Sequence, residues 1–474
     1  MGNLDAIQTF EHLRDAYFRY YDTPFGLADE RLQSERRALL DRDGGVYRKP
    51  LLELRPEYEI TGRTLAESVT AVGADPDMAT FAGTGLLQGV PSLYQHQEDA
   101  LAAGVQRGRN MVITAGTGSG KTESFLMPVL SSLLAESRSW TGQGAAPADW
   151  WTSSNSGFRA QRDGETGHEA AVRTIVLYPM NALVDDQLIR LRRALDNDSI
   201  RDWLDANRNG HRFYFGRYTG ATPVTGTRGN RLAVDELRRY LRETDRRGAR
   251  AREIATQKVD DDLRYFVPRL DGAEMRSRWD MLDSPPDLLI TNYSMLNVML
   301  LRERDGHFFD STRQWLDNPE NVFTLVVDEL HTYRGTAGTE VAYLLRTLKR
   351  RLGLDTRPEQ FRVLAASASL DPGRDSDYLH QFFDADPGTF TFVRGATITP
   401  AAYQTPPAID PAQLASADAV TAAIVGRTAG VVSALRGVLH GDGTGGAKTL
   451  SQVAKDVFPD TPANISEQAI ATVL

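Results

Sequence analysis

Ala115-Gly116-Thr117-Gly118-Ser119-Gly120-Lys121-Thr122 is the stretch on which the fold turns. It fits a phosphate-binding loop with Ala in place of the first Gly. Its flanks suit that reading. Asn110 to Thr114 has the character of a strand, and Thr122 to Ala135 that of a helix, with Phe125, Leu126, Val129, Leu130, Leu133 and Leu134 on one apolar stripe. Glycines let the loop wrap so that successive backbone N–H groups face phosphate oxygens, and the helix N-terminus adds its dipole. Ala115, Gly116, Thr117, Gly118, Ser119, Gly120, Lys121, Thr122 and Glu123 are thus candidate nucleotide contacts. Lys121 is placed to reach the β- and γ-phosphates and the Thr122 hydroxyl to ligate Mg²⁺, so ATP and Mg²⁺ are the expected cofactors.

Outward from this loop, short apolar runs alternate with amphipathic stretches. The runs are Thr174 to Tyr178, Leu288 to Thr291, Phe323 to Val327 and Arg362 to Ala365. Four to six apolar residues without alternation suit strands buried on both faces, hence an α/β domain with a parallel sheet covered by helices on both faces. One run leads directly into Asp328-Glu329-Leu330-His331. Two carboxylates after a buried strand sit at the open sheet edge, Asp328 to hold Mg²⁺ and Glu329 to position and deprotonate the attacking water. Lys121, Asp328 and Glu329 are therefore the candidate catalytic residues, with Thr122 and Asp328 as metal ligands. Gln97, about twenty residues before the loop, can read an adenine edge through its paired donor and acceptor. His331, Ser367 and Ser369 are candidates for coupling the nucleotide site to strand movement. Pro179, Asn181 and Ala182, then Thr219 and Gly220, then Thr291 and Asn292, lie in strand-end loops where hydroxyls and amides are expected free to meet a nucleic-acid backbone.

Length and composition bound the rest. The 474 residues imply two or three domains, and 41% hydrophobic with 25% charged residues is the balance of a chain with a sizeable core. With no cysteine, disulfides and thiolate metal sites are excluded within these residues. No run approaches the roughly 18 apolar residues of a membrane span, and no signal pattern opens the chain, so no membrane partner and a cytoplasmic location are expected. A net charge of −9 argues against a wholly basic binding protein. Yet between Arg208 and Glu253 there are twelve arginines against five acids, with Arg238, Arg239, Arg242, Arg246, Arg247, Arg250 and Arg252 crowded together. That patch suits phosphates or, with its interleaved Glu236, Glu243 and Glu253, a solvated helix face. The expected organisation is a mainly helical N-terminal region over 1–88, an ATP-binding domain over 89–397 with insertions at about 137–171 and 205–285, and a helical module over 398–474.

The order of Gln97, Ala115 to Thr122, Tyr178 to Leu183, Thr219-Gly220, Thr291-Asn292, Asp328 to His331 and Ser367 to Ser369 resembles the first RecA-like lobe of a superfamily 2 DEAD/DEAH-box helicase, over roughly 90–395. Gly118 to Phe125, Tyr178 to Gln187 and Asp328 to Arg346 are similar to the large bacterial helicases of anti-phage defence systems of the Druantia and DISARM type, which are related to Mrf-type repair helicases. The resemblance implies an ATP-dependent motor on DNA, possible defence-system subunits as partners, and a second RecA lobe. Ser369 departs from the Thr usual in the family. After Ser369 no stretch has the Gln-x-x-Gly-Arg-x-x-Arg pattern that carries the arginine finger, and Arg427 and Arg436 lack its context. The expectation is a truncated or split N-terminal half, 398–474 beginning an insertion between lobes, and weak activity in isolation. A switch ATPase gating a partner would not need the strand-end loops, and a non-catalytic assembly subunit would not need the Asp328-Glu329 pair.

Overall fold

A computed structural model describes residues 6–42, 44–54, 57–116, 118–146, 148–224, 226–257, 261–367, 370–398, 407–417, 421, 430–440 and 447–473. The chain divides into two compact units, one made of 1–57 with 397–474 and the other of 58–396. In the larger unit, seven strands form one sheet: β1 (Asn110–Thr114), β2 (Thr174–Tyr178), β3 (Phe215–Arg217), β4 (Leu288–Asn292), β5 (Phe323–Val327), β6 (Phe361–Ser367) and β7 (Phe390–Arg394). Their spatial order is β3-β4-β2-β5-β6-β1-β7, and every neighbouring pair is parallel.

The unalternating apolar runs have a direct structural meaning. Side chains on a strand point to opposite faces in turn. Here each face has its own core. Met111, Ile113, Val176, Ile290, Val326, Leu364 and Ala366 join one, packed under α1 (Gln95–Val105), α2 (Lys121–Ser137) and α3 (Asn181–Leu195). Val112, Ile175, Leu177, Leu289, Leu325, Val327, Val363 and Ala365 join the other, with residues of α5 (Tyr293–Leu301) and α6 (Gly335–Leu352). Each fully buried Leu or Ile contributes about 1.5–3 kcal/mol, and a buried polar residue within a strand needs its own partner, as Thr291 finds in the Tyr218 carbonyl. This is the RecA-like sheet, helices on both sides, that the motif order implies.

The sequence reading ends its N-terminal region at 88, whereas residues 58–88 pack into the sheet's first core through Val69, Met78, Phe81 and Leu87. The two insertions pack on each other. Trp150 and Trp151 share a small core with Leu237 and Leu241 of α4 (Arg231–Gln257) and with Trp279. Arg242 Nε donates to the Trp151 carbonyl at 2.7 Å, and Arg238 Nη2 to that of Ser156 at 2.6 Å. Arg246 and Arg250 pair with Glu243 and Glu253. Much of the arginine patch is thus committed to packing and local ion pairs.

In the smaller unit, Leu51–Leu52 pairs antiparallel with Lys448–Thr449, and Leu52 and Leu54 pack on a core that includes Leu414, Val431, Leu435, Val453, Val457 and Ile470. Stretches that sequence treats as opposite ends of the chain therefore share one core.

One close contact sets the path to the site. Gly104 of α1 lies against Pro128, which sits inside α2 and lacks the N–H that would bond the preceding turn. A Cβ at 104 would overlap the Pro128 ring. Gly104→Ala gains about 1 kcal/mol of helix propensity but overpacks a rigid ring, at about 1–3 kcal/mol. Its expected outcome is a lower thermal midpoint than wild type by calorimetry, opposite in sign to propensity alone.

Candidate nucleotide-binding site

Because all seven strands are parallel, their C-terminal ends lie along one edge of the sheet, and the site is assembled there from the residues that follow them. Strand β1 leads into the loop, in which Gly118 (φ 74°) and Gly120 (φ 77°) take left-handed conformations that favour glycine. Gly120 caps the start of α2, and a Cβ there would overlap the Gln97 carboxamide. Ala115 is buried, and Gly116 lies close to the Tyr58 hydroxyl. Thr117 falls outside the described residues.

The loop is braced from α1. His96, fully buried, places Nε2 2.8 Å from the Ser119 carbonyl. A carbonyl only accepts, so this nitrogen carries the proton. Gln97 Nε2 donates to the Gly120 carbonyl at 3.4 Å, while its Oε1 accepts from the Tyr94 N–H at 3.0 Å. The Gln97 side chain is therefore turned onto the protein backbone. Sequence reading missed His96, whose only signal is its place beside Gln97 on the same helical turn.

Lys121 and Thr122 open α2. Lys121 Nζ stands 3.9 Å from Glu329 Oε1, joining residues 208 positions apart (329 less 121). Gln187 of α3 donates to the Thr122 hydroxyl at 3.5 Å, and Arg190 pairs with Glu123 at 2.8 Å. Asp328 is almost wholly buried, and its Oδ1 accepts the Glu329 N–H at 2.8 Å. Burial pushes the Asp328 carboxyl above its ordinary value. The Glu329 N–H opposes this, the Glu329 charge adds to it, and Lys121 and Arg190 pull it back. Glu329 itself has φ 49° and ψ 44°, a left-handed conformation that costs a residue with a Cβ about 1 kcal/mol or more. The turn carries Glu329 out of the buried strand so that its carboxylate lies between Lys121 and His331, whose Nδ1 is 3.4 Å from Glu329 Oε2. A cation, a hydroxyl and two carboxylates beside a glycine loop form a donor set that fits a polyphosphate with a hard divalent ion.

Ser367 ends β6, fully buried and in register with Thr114 beside the loop, while Ser369 lies outside the described residues. The strand-end loops are arranged differently from the sequence expectation. Thr291 is fully buried and donates to the Tyr218 carbonyl at 2.8 Å. Thr219 is buried, its hydroxyl accepting from the Ala221 N–H at 3.3 Å, and the Asn292 side chain caps α5 by accepting from the Met295 N–H at 2.8 Å. A loop of fixed shape uses its own hydroxyls and amides to satisfy its backbone. At the surface the edge presents Gly220, Met180, Tyr293 and Ser294, with Pro179 half-buried. Asn181 and Ala182 open α3, and their side chains fall outside the described residues. Register aligns Tyr178 with Asn292, so these loops are neighbours.

For His96, burial outweighs the hydrogen bond to Ser119 and lowers the imidazole below its ordinary value. The unfolded chain then binds this proton more readily than the folded one. The His96 contribution to stability is thus full above the ordinary imidazole value and is lost as pH falls below it. In ¹⁵N-resolved spectra, His96 is expected to be the Nε2–H tautomer when neutral and to take up its second proton at lower pH than an exposed imidazole. A ring that takes up its proton as readily as an exposed imidazole would contradict its burial.

Comparisons with known proteins agree with this geometry. The sequence pattern of the DEAD/DEAH box helicase family matches residues 94–212. Druantia protein DruE of Escherichia coli (strain UMEA 4076-1) is 32% identical over 413 residues, covering 79% of this chain and 21% of that protein. The uncharacterized ATP-dependent helicase YprA of Bacillus subtilis (strain 168) is 23% identical over 263 residues, covering 56% and 21%. The chain thus spans about a fifth of the length of these curated relatives. Among solved structures, the DUF1998 helicase MrfA bound to DNA aligns over 90% of this chain and 41% of its own, at 17% identity and a TM-score of 0.39. No helix among the described residues is long and apolar enough to cross a membrane. Residues 94–212, which carry the loop and its bracing helix, are the part of this chain that matches the DEAD/DEAH box helicase family.

Proposed function

We propose that this chain is the ATP-binding first lobe of an ATP-dependent DNA helicase or translocase. The observation that carries the reading is the convergence of Lys121, Asp328 and Glu329 at one sheet edge, with Lys121 Nζ 3.9 Å from Glu329. Loop N–H groups and Lys121 bind the phosphates of ATP, and Thr122 and Asp328 hold Mg²⁺, which supplies charge neutralisation between the phosphate oxygens. Glu329 takes the proton of the attacking water. His331 and Ser367 tie this carboxylate and the neighbouring strand end to the rest of the edge, with Ser369 in the same role. For Gln97 to read the adenine, its carboxamide has to leave the Tyr94 N–H and the Gly120 carbonyl that hold it here. Nucleic acid lies against the strand-end loops at Pro179 to Ala182, Thr219-Gly220 and Thr291-Asn292. The inward-turned side chains noted above leave backbone groups and Gly220 to make these contacts.

A second RecA lobe, on a longer or separate chain, supplies the arginine finger. Its absence costs about 10³–10⁵ in phosphoryl transfer, so the chain alone binds ATP and turns it over slowly. Similarity to the Druantia protein DruE, together with the motif resemblance, supports a bacterial anti-phage defence or repair system in the cytoplasm, with further defence subunits as partners.

Steady-state ATP turnover with and without single-stranded DNA tests the reading. Glu329→Gln is expected to keep ATP binding and to lower turnover by about 10²–10⁴, whereas Lys121→Ala loses binding. Stimulation by DNA is expected to fade as salt rises. Turnover unchanged in Glu329→Gln would remove this carboxylate from the chemistry.

A further inference from the structure

At the opposite, N-terminal edge of the sheet, four charged or titratable side chains meet out of reach of water. His168, His211 and Asp287 have fully buried side chains, and that of Glu165 is 3% exposed. Asp287, just before β4, accepts from the Tyr214 N–H at 2.7 Å and from Arg173 Nη1 at 2.8 Å. His168 Nε2 is 2.9 Å from Asp287 Oδ1, and His211 Nε2 is 3.1 Å from the Thr141 carbonyl. Both partners are acceptors, so each ring carries its proton on Nε2.

The two Nδ1 atoms then turn to the same point. They lie 3.2 Å and 3.0 Å from a single oxygen, Glu165 Oε1, and all three atoms fall within 4.8 Å of one another. In neutral rings these are three lone-pair atoms facing one another, which repel unless positive charge lies between them. Two protons would supply it, at the cost of two buried imidazolium rings beside Arg162 and Arg173. One divalent cation supplies the same charge and bonds to all three. The two spacings from Glu165 Oε1, 3.2 Å and 3.0 Å, are near the roughly 3.3 Å between donors of a tetrahedral zinc ion with bonds of about 2.0–2.1 Å. The far side of each ring also fits, because metal-bound imidazoles donate their other N–H to a carboxylate or a carbonyl. Glu165 Oε2 is held by Arg162 Nε at 2.5 Å, which fixes the carboxylate. Trp140 stacks on His168 with centroids 3.5 Å apart and closes the site from the side.

We propose that Glu165 Oε1, His168 Nδ1 and His211 Nδ1 bind one divalent transition-metal ion. Two imidazoles and a carboxylate favour zinc over magnesium or calcium. The ion is structural: it pins the insertion between α2 and β2 to the approach of β3 and, through Asp287, to the start of β4. It is separate from the Mg²⁺ expected at the loop, which lies at the other end of the strands.

Metal content of the full chain, with any affinity tag removed, after chelation and re-exposure to zinc, tests this. The expected result is about one zinc per chain, lost in His168→Asn and in His211→Asn, with a thermal midpoint that rises when zinc is restored to wild type. Wild type that holds no zinc, or zinc retained by both variants, overturns the site. Should a variant not fold, zinc-edge X-ray absorption on wild type decides it. Two imidazoles in the first shell support the assignment and a shell without imidazole refutes it. Since the chain has no cysteine, thiolate ligands cannot blur that spectrum.

Discussion

Parallel strands cannot be joined by tight turns; each return to the sheet needs a crossover, here mostly helical. That requirement shapes residues 58–396. Crossovers cover both faces of the sheet, so both faces must be apolar and the strands read as unbroken runs such as Phe323 to Val327. It also brings every strand's C-terminal end to one edge. Backbone N–H groups, Lys121, Asp328 and Glu329 arrive there from distant parts of the chain because each follows, or ends, a strand of the same direction. The site is a consequence of strand direction.

The edge is electrostatically tense, and the tension is local. Asp328 is buried with its carboxyl pushed up, Glu329 is held in a left-handed turn beside it, and Lys121 attracts both carboxylates. A hard divalent ion and a polyphosphate would each relieve part of this, the first at the carboxylates and the second at Lys121 and the loop. The N-terminal edge carries a second charged group, Glu165, His168, His211 and Asp287, with Arg162 and Arg173 around it. Its outer hydrogen bonds are met from inside the protein, while Glu165 Oε1 and the two Nδ1 atoms face one another, in keeping with a structural ion at one end of the strands and chemistry at the other.

How much could be read in the sequence follows from how local each signal is. Ala115 to Thr122 is one contiguous loop, and Asp328-Glu329 directly follows an apolar strand, so both were legible as motifs and the α/β fold followed from the runs around them. The insertions were legible only as interruptions. What anchors them depends on Trp150 and Trp151 meeting Leu237 and Trp279, and on Glu165 and His168 meeting His211 and Asp287. Such pairs lie some 40 to 130 residues apart and leave no spacing pattern. Thr219, Thr291 and Asn292 were readable as strand-end polar residues, but the direction their side chains take is set by backbone groups that need partners, which composition does not encode. The joining of Leu51–Leu52 to Lys448–Thr449 is a non-local pairing of the same kind.

Equilibrium binding of a non-hydrolysable ATP analogue to the full chain, with magnesium and then with a chelator, addresses the nucleotide site without depending on a second lobe or on nucleic acid. If the sheet edge holds phosphates and a divalent ion together, binding saturates at one site and tightens by about tenfold or more with magnesium, a gain of roughly 1.4 kcal/mol or more. Failure to bind in either condition, or binding indifferent to magnesium, would contradict the joint assignment of Lys121, Thr122 and Asp328.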